Sequence, residues 1–214
     1  MTKIKICGIK SVNDALAALE AGADMLGFNF YPKSPRYVSV GKCRDIMSVM
    51  RKFGQIVFVG VFVNASVSEI RATMETCGLN LAQLHGDETS EMVQSLYGKA
   101  FKAFRGIPES INGFAREEAP AILVDASTKG AYGGTGVIAN WTGAAELAKY
   151  YPILLAGGLT SENVAEAVRR VKPWGVDVAS GVESSPGVKD AGKMDAFVQA
   201  VRKLETQDSL VSNY

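Results

Sequence analysis

A few residues of this chain have the chemistry of acids, bases or anion holders, and they stand where that chemistry could be used. Cys7 closes the short run Ile4-Lys5-Ile6-Cys7 and is followed by Gly8. Asp125 closes the apolar run Ile122-Leu123-Val124. A thiolate accepts protons, and a partly desolvated carboxyl keeps one near neutral pH, so the two are candidates for base and acid work. The alternatives are a buried structural cysteine at 7, and a helix cap or ion pair at 125. Two glycine turns, Ala156-Gly157-Gly158-Leu159 and Ala179-Ser180-Gly181-Val182, give backbone N–H groups close approach to an anion, or simply turn the chain. Arg36 lies in the stiff segment Pro32-Lys33-Ser34-Pro35-Arg36-Tyr37; its fork fits a carboxylate, or it is a solvated surface arginine.

Gln83 and His85 flank Leu84 and are candidates for shaping a pocket. His85 is the only histidine; alone it makes no metal site, and neither a metal-ligand cluster nor a Ser–His–Asp arrangement joins it. The glycine-rich stretch Lys129–Gly136, with Gly133 and Gly134, reads as a loop over a site or a surface loop. No Gly-Lys-Ser/Thr ends it, so it is not a P-loop. Cys43 and Cys77 fall within helical patterns and take the packing role.

These residues need elements that bring them to one place. Short apolar runs alternate with amphipathic patterns. Strands are expected at Ile4–Cys7, Met25–Phe30, Ile56–Val63, Leu81–Leu84, Phe101–Phe104, Ala121–Val124, Ile153–Leu155 and Val176–Ala179. Helices are expected at Ser11–Ala21, Val40–Phe53, Ser66–Cys77, Thr89–Tyr97, Glu109–Glu118, Thr142–Tyr150, Ser161–Val171 and Gly192–Leu204. Ser11 reads as an N-cap, and Gly22 and Gly78 as helix stops. Strict strand–helix alternation points to a parallel sheet, and successive strands about 20–30 residues apart match the cadence of a barrel. The count of eight closes a single (β/α)8 TIM barrel, whereas an open doubly wound sheet would place Gly-x-Gly-x-x-Gly after the first strand. Residues 1–205 are expected to form this one domain and residues 206–214 a polar, frayed tail. In such barrels chemistry sits at the C-terminal ends of the strands, and phosphate at the loops after strands seven and eight. Cys7, Arg36, Gln83, His85, Asp125, Gly157, Gly158, Ser180 and Gly181 all fall at those ends.

The chain has 214 residues, 47% of them hydrophobic, with 23 basic and 22 acidic residues. That balance gives no basic stripe for nucleic acid, yet leaves room for a local phosphate site. The three cysteines are widely spaced, which points to a reducing, cytoplasmic setting. The N-terminus lacks the apolar core of a signal peptide, and no apolar run is long enough for a membrane helix.

Several of these segments taken in order resemble the phosphoribosylanthranilate isomerase family: Lys5-Ile6-Cys7-Gly8-Ile9, Lys33-Ser34-Pro35-Arg36-Tyr37, Gln83-Leu84-His85-Gly86, Gly133-Gly134-Thr135-Gly136, Leu155-Ala156-Gly157-Gly158-Leu159, Asp177-Val178-Ala179-Ser180-Gly181-Val182-Glu183 and Ser185-Pro186-Gly187-Val188-Lys189-Asp190. The resemblance runs from residue 3 to about residue 205 and implies a step of tryptophan biosynthesis. N-(5′-phosphoribosyl)anthranilate would become 1-(2-carboxyphenylamino)-1-deoxyribulose 5-phosphate by an Amadori rearrangement. Carried over, Asp125 is the acid, Cys7 the base and Arg36 the holder of the anthranilate carboxylate. Gly157, Gly158, Ser180 and Gly181 would surround the phosphate. The resemblance implies no metal or organic cofactor, a small phosphorylated substrate as partner, and a monomer or homodimer.

The chain departs from the family pattern twice. Val137, Ile138, Ala139 and Asn140 stand before Trp141 where a lysine, an aromatic and an aspartate are usual; Thr160-Ser161 replaces the frequent Asn-Pro. Two other readings compete. One is a histidine-pathway sugar isomerase, which would be expected to carry an aspartate in place of Cys7. The other is a phosphate-binding barrel without chemistry, against which the pairing of Cys7 with Asp125 argues.

Overall fold

Capping chemistry in the sequence sets where the helices begin and end. Ser11 Oγ accepts from the Asp14 N–H at 3.1 Å, and Gly22 ends the helix in the left-handed region with φ 97°. Ser66 and Glu69 cap each other reciprocally, and Gly78 stops that helix in the same left-handed way. A computed structural model describes residues 1–126 and 140–211. Its elements are β1 (Lys3–Cys7), α1 (Val12–Ala21), β2 (Met25–Asn29), α2 (Val40–Met50), β3 (Val57–Phe62), α3 (Val67–Cys77), β4 (Leu81–Leu84), α4 (Ser90–Ser95) and β5 (Ala100–Arg105). They continue with β6 (Ile122–Asp125), α5 (Trp141–Ala148), β7 (Ile153–Ala156), α6 (Val164–Val171) and β8 (Gly175–Val178). A 3-10 turn (Ser180–Val182), a small hairpin of β9 (Glu183–Ser185) and β10 (Val188–Lys189), and α7 (Ala191–Val211) complete the order.

Strands β1 to β8 pair in sequence order into a closed parallel barrel, sealed where β8 returns to β1. At that seam Lys5 is in register with Asp177. Because strand side chains alternate, each strand divides its residues between two cores. Ile4, Ile6, Leu26, Phe28, Ile122 and Val124 pack outward in the large cluster beneath the helices. Met25, Val59, Phe101, Leu123 and Leu154 belong to a separate inner cluster that fills the barrel. By the same alternation Lys5, Cys7, Gln83, Asp125 and Asp177 point inward, which is how an apolar sheet comes to hold a polar upper layer.

The first and last elements are tied together at the lower end. Arg202 donates to Thr2 O at 2.7 Å and to Asp24 Oδ2 at 3.0 Å, and the Thr2 N–H bonds to Glu205.

The structure differs from the sequence expectation in four places. No α-helix forms over Glu109–Glu118; the segment makes a turn at Ile111–Phe114, then bends. Ile111 and Phe114 have helical spacing, but Gly113 adopts φ 76°, which leaves the right-handed helix. Second, the helix expected from Ser161 starts at Val164, because Asn163 Oδ1 accepts from the Thr160 N–H at 2.9 Å and holds a turn there. Third, the last helix runs past Leu204 to Val211, so the backbone is helical where a frayed tail is expected; no Gly or Pro after Gly192 interrupts it. Fourth, the hairpin of β9 and β10 fills a stretch for which the sequence pattern names no element.

Candidate active site

Cys7 ends β1 and is 7% exposed. Gly8 then takes φ 86°, and a Cβ there would lie 2.7 Å from Arg36 Cδ. Glycine therefore does two things: it turns the chain off the strand and lets Arg36 lie across it. Two positions before Cys7, on the same inward face, stands Lys5. Its side chain is fully buried and bonds Asp177 Oδ1 at 2.8 Å. The Lys5 ammonium and the Cys7 thiol both approach Gly27: a Cβ there would lie 3.1 Å from Lys5 Nζ and 2.8 Å from Cys7 Sγ. Burial works against the Lys5 charge, but Asp177 and Cys7 outweigh it and raise its pKa, so Lys5 stays protonated. Burial likewise pushes the Cys7 thiol up; Lys5 pulls it down, Asp177 adds to the rise, and Lys189 pulls down in turn.

A second charged group covers this pair. Glu183 accepts from Arg36 Nε at 2.7 Å and from Arg36 Nη2 at 2.8 Å. Glu183 Oε1 also accepts from the buried Lys189 Nζ at 3.0 Å, which in turn donates to Ala179 O at 2.9 Å. The loop after β2 is thus joined to the hairpin after β8, across the end of β1 that lies between them. Burial alone would raise the Glu183 carboxyl; Arg36 and Lys189 overcome it and hold the group below the usual carboxylate range.

Around the rim, β4 contributes Gln83 and His85. Gln83 is buried and its Nε2 lies 3.0 Å from His85 Nδ1. Burial lowers the His85 pKa, with Asp125 and Asp177 opposing and Arg105 and Lys5 assisting. The imidazole is therefore neutral at physiological pH, and its Nδ1 accepts from Gln83. Gln83 Oε1 is buried with no partner among the described residues. Asp125, Asp177, Arg105 and Lys5 thus all lie close enough to His85 to act on it electrostatically. Asp125 closes β6 on its inward face, half-buried, in register with Ala156 of β7.

The glycine turns meet as well. Gly157 and Gly158 adopt φ 101° and 65°, and Asn163 Nδ2 donates to Gly158 O at 2.9 Å. A Cβ on Gly181 would lie 1.9 Å from Leu159 O, so the loop after β7 and the 3-10 turn after β8 touch backbone to backbone. Cys7, Arg36, Gln83, His85, Asp125, Gly157, Gly158, Ser180 and Gly181 accordingly share one end of the barrel. Gly133 and Gly134 lie outside the described residues, as does the rest of 127–139. Asn140 caps α5 through Gly143 N–H at 3.0 Å, so the departure from aspartate at that position preserves a cap.

Four residues of this site escape the sequence reading: Lys5, Asp177, Glu183 and Lys189. A signal for the first two is present. Lys5 lies between Ile4 and Ile6, and Asp177 between Val176 and Val178; a charge inside a buried strand requires a partner. Glu183 and Lys189 carry no such signal, because their burial depends on the hairpin.

A closed parallel barrel with a cysteine, an aspartate and a double glycine turn on its upper rim defines a protein of the (β/α)8 class, in which that rim carries the active site and its last two loops often hold a phosphate. Comparison with known proteins narrows this. A family model described as N-(5'phosphoribosyl)anthranilate (PRA) isomerase matches residues 4–200. The N-(5'-phosphoribosyl)anthranilate isomerase of Geotalea uraniireducens is 46% identical over 207 residues, covering 95% of this chain and 100% of the relative. The crystal structure of phosphoribosyl anthranilate isomerase from Thermotoga maritima superposes with a TM-score of 0.85 at 35% identity, covering 95% of this chain and 100% of that one. A further structure of the enzyme, in complex with reduced 1-(o-carboxyphenylamino)-1-deoxyribulose 5-phosphate, gives 0.78 at 31% identity, with 95% and 100% covered. The chain belongs to the N-(5'-phosphoribosyl)anthranilate isomerase family.

Proposed function

We propose that this chain isomerises N-(5′-phosphoribosyl)anthranilate with Asp125 as general acid and Cys7 as general base. The observation that carries the assignment is that both side chains end strands on the inward face of one rim, beside a neutral polar pair, Gln83 and His85. Asp125 donates a proton to the furanose ring oxygen, and the C1′–O bond breaks as the anthranilate nitrogen lone pair forms the iminium. Cys7 then removes the C2′ proton, and the C–H electrons move to quench the iminium as an enolamine. The enolamine tautomerises to the ketone. One proton enters from Asp125 and one leaves to Cys7, so substrate and product share one composition, and water resets the two groups. The substrate supplies its own electron sink, and the reading calls for no metal or organic cofactor.

Arg36 holds the anthranilate carboxylate through the part of its fork that Glu183 leaves unused. The N–H groups of Gly157, Gly158, Ser180 and Gly181 hold the phosphate, which their left-handed and close-packed backbones favour. The family resemblance adds Gly133 and Gly134, outside the described residues, to the substrate-binding set. The protein works in the cytoplasm, as three free cysteines suit a reducing compartment. Among the described residues no helix is long and apolar enough to cross a membrane.

The test generates phosphoribosylanthranilate in place and follows the loss of its fluorescence. The parent turns it over, while Asp125→Asn and Cys7→Ser each lose activity by about 10²-fold or more. Parent-like rates in both variants would overturn the assignment.

A further inference from the structure

The buried Lys5–Asp177 pair lies beside the Cys7 thiol but takes no part in the acid–base steps. A charged pair inside a barrel is costly unless its geometry is good, and an apolar pair in its place often serves stability equally well. Three observations set this pair apart from a structural one. Lys5 is fully buried, bonded to Asp177 Oδ1 at 2.8 Å, and in strand register with it. Lys5 and Cys7 sit two residues apart on the same inward face of β1, and the charge of Lys5 acts on the thiol. Between them and β2 there is no side chain. A Cβ on Gly27 would lie 2.8 Å from Cys7 Sγ and 3.1 Å from Lys5 Nζ, so both heads converge on the bare Cα of that glycine. Gly27 is in register with Cys7, and its position in the strand needs no left-handed backbone. The absence of its side chain is used for the approach of these two groups.

We propose that Lys5, fixed by Asp177 and admitted by Gly27, is the positioning residue that stabilises Cys7 as a thiolate for proton abstraction. The proposal rests on Cys7 acting as the base. The charged groups facing the thiol are Lys5 on β1, Asp177 on β8 and Lys189 beyond it on β10, while β2 presents only Gly27. Asp177 taken alone disfavours a thiolate. Its bond to Lys5 aims the ammonium and keeps it protonated, and the ammonium acts on the thiol more strongly than the carboxylate does. Lys189 is committed to Glu183 and Ala179 O. Lys5 therefore supplies the cation that the thiolate faces, and it neither gives up nor takes a proton.

The experiment titrates Cys7 without turnover. The full-length protein is alkylated with iodoacetamide across a pH series, and modification at Cys7 is read by peptide mass spectrometry. Lys5→Met should move the alkylation midpoint upward by one pH unit or more. It should also shift the rising limb of kcat/KM the same way, lowering kcat at neutral pH at least tenfold with KM nearly unchanged. Lys5→Arg, which keeps the charge, should recover part of both. Gly27→Ala, which inserts a methyl between the two heads, should reproduce the shift with both charges present. Lys5→Met leaves Asp177 buried alone, so Lys5→Met/Asp177→Asn is the second variant, and it should show the same upward midpoint in a folded barrel. An unmoved midpoint in the folded double variant and in Gly27→Ala overturns the proposal. A moved midpoint with unmoved activity supports the control of the thiol by Lys5 and overturns instead the role of Cys7 as base.

Discussion

Glu183 grips Arg36 edge-on, with Nε at 2.7 Å and Nη2 at 2.8 Å from its two carboxylate oxygens. A guanidinium held this way has a fixed plane and a fixed direction, so its remaining edge is presented to a ligand before any ligand arrives.

If that edge holds the substrate carboxylate, Arg36→Met should raise KM roughly 10- to 100-fold, the range expected for a charge-assisted hydrogen bond, with a smaller change in kcat. Glu183→Gln should raise KM less, because the guanidinium stays but loses its fixed plane. Arg36→Lys should not restore affinity, since a point charge lacks the fork. Steady-state kinetics decide it, and an unchanged KM in Arg36→Met would exclude the contact.

The two glycine turns give a second prediction. A methyl on Gly181 would collide with Leu159 O, a backbone atom that cannot swing aside. Gly181→Ala should lower Tm by roughly 3–10 °C from overpacking. If the two turns hold the phosphate, it should also weaken competitive inhibition by inorganic phosphate at least tenfold, since their backbones are forced apart. Gly158→Ala meets nothing within 4 Å and bears only the cost of its positive φ, so its effect on both readouts should be milder. Equal effects in the two variants would count against the packed-turn account.

Acid stability gives a third. Glu88 accepts from Asn64 N–H at 2.7 Å, Gly86 N–H at 2.8 Å and Lys102 Nζ at 2.8 Å, which anchors the loop after His85. Burial tends to raise its pKa, but Lys102 and the backbone donors lower it below the ordinary value of 4.5. Glu183 is lowered too. A carboxyl with a depressed folded pKa contributes stability above its unfolded value and loses it as the pH falls through the folded one. The urea midpoint should therefore hold steady on mild acidification and drop once the pH passes below about 4.5. Glu88→Gln should cost about 3 kcal/mol at neutral pH by leaving the buried Lys102 ammonium with only the Leu84 and Gly86 carbonyls, and its acid decline should be shallower. A variant whose decline parallels the parent's would remove Glu88 from the account.

The eight strands were legible because each is a short β-branched or apolar run between turn residues, and parallel strands buried on both faces read that way. Helix starts were legible where Ser11 and Ser66 cap them. The segment after β5 was not, because Ile111 and Phe114 imitate a helical face while Gly113 turns away from it. Cys7 and Asp125 were visible as strand-end residues, although their separate roles came only with the family resemblance. Lys5 and Asp177 are not legible as a pair, because sequence neighbours alone do not show the partner of a charge within a strand. Its partner lies on a strand 172 residues away. Glu183 and Lys189 depend on a hairpin whose strands are too short to leave a periodic trace.

That distance along the chain also orders assembly. While the polypeptide is being made, Lys5 emerges 172 residues ahead of Asp177, so its counter-ion is not yet synthesised. The ammonium enters the interior at little cost only when β8 arrives and the seam closes. A barrel caught open, or closed one register off, leaves a buried charge unmatched and is driven back toward solvent. The same bond that equips the thiol thus acts as a latch on completion: the cysteine acquires its working surroundings only in a chain whose last strand has found its first.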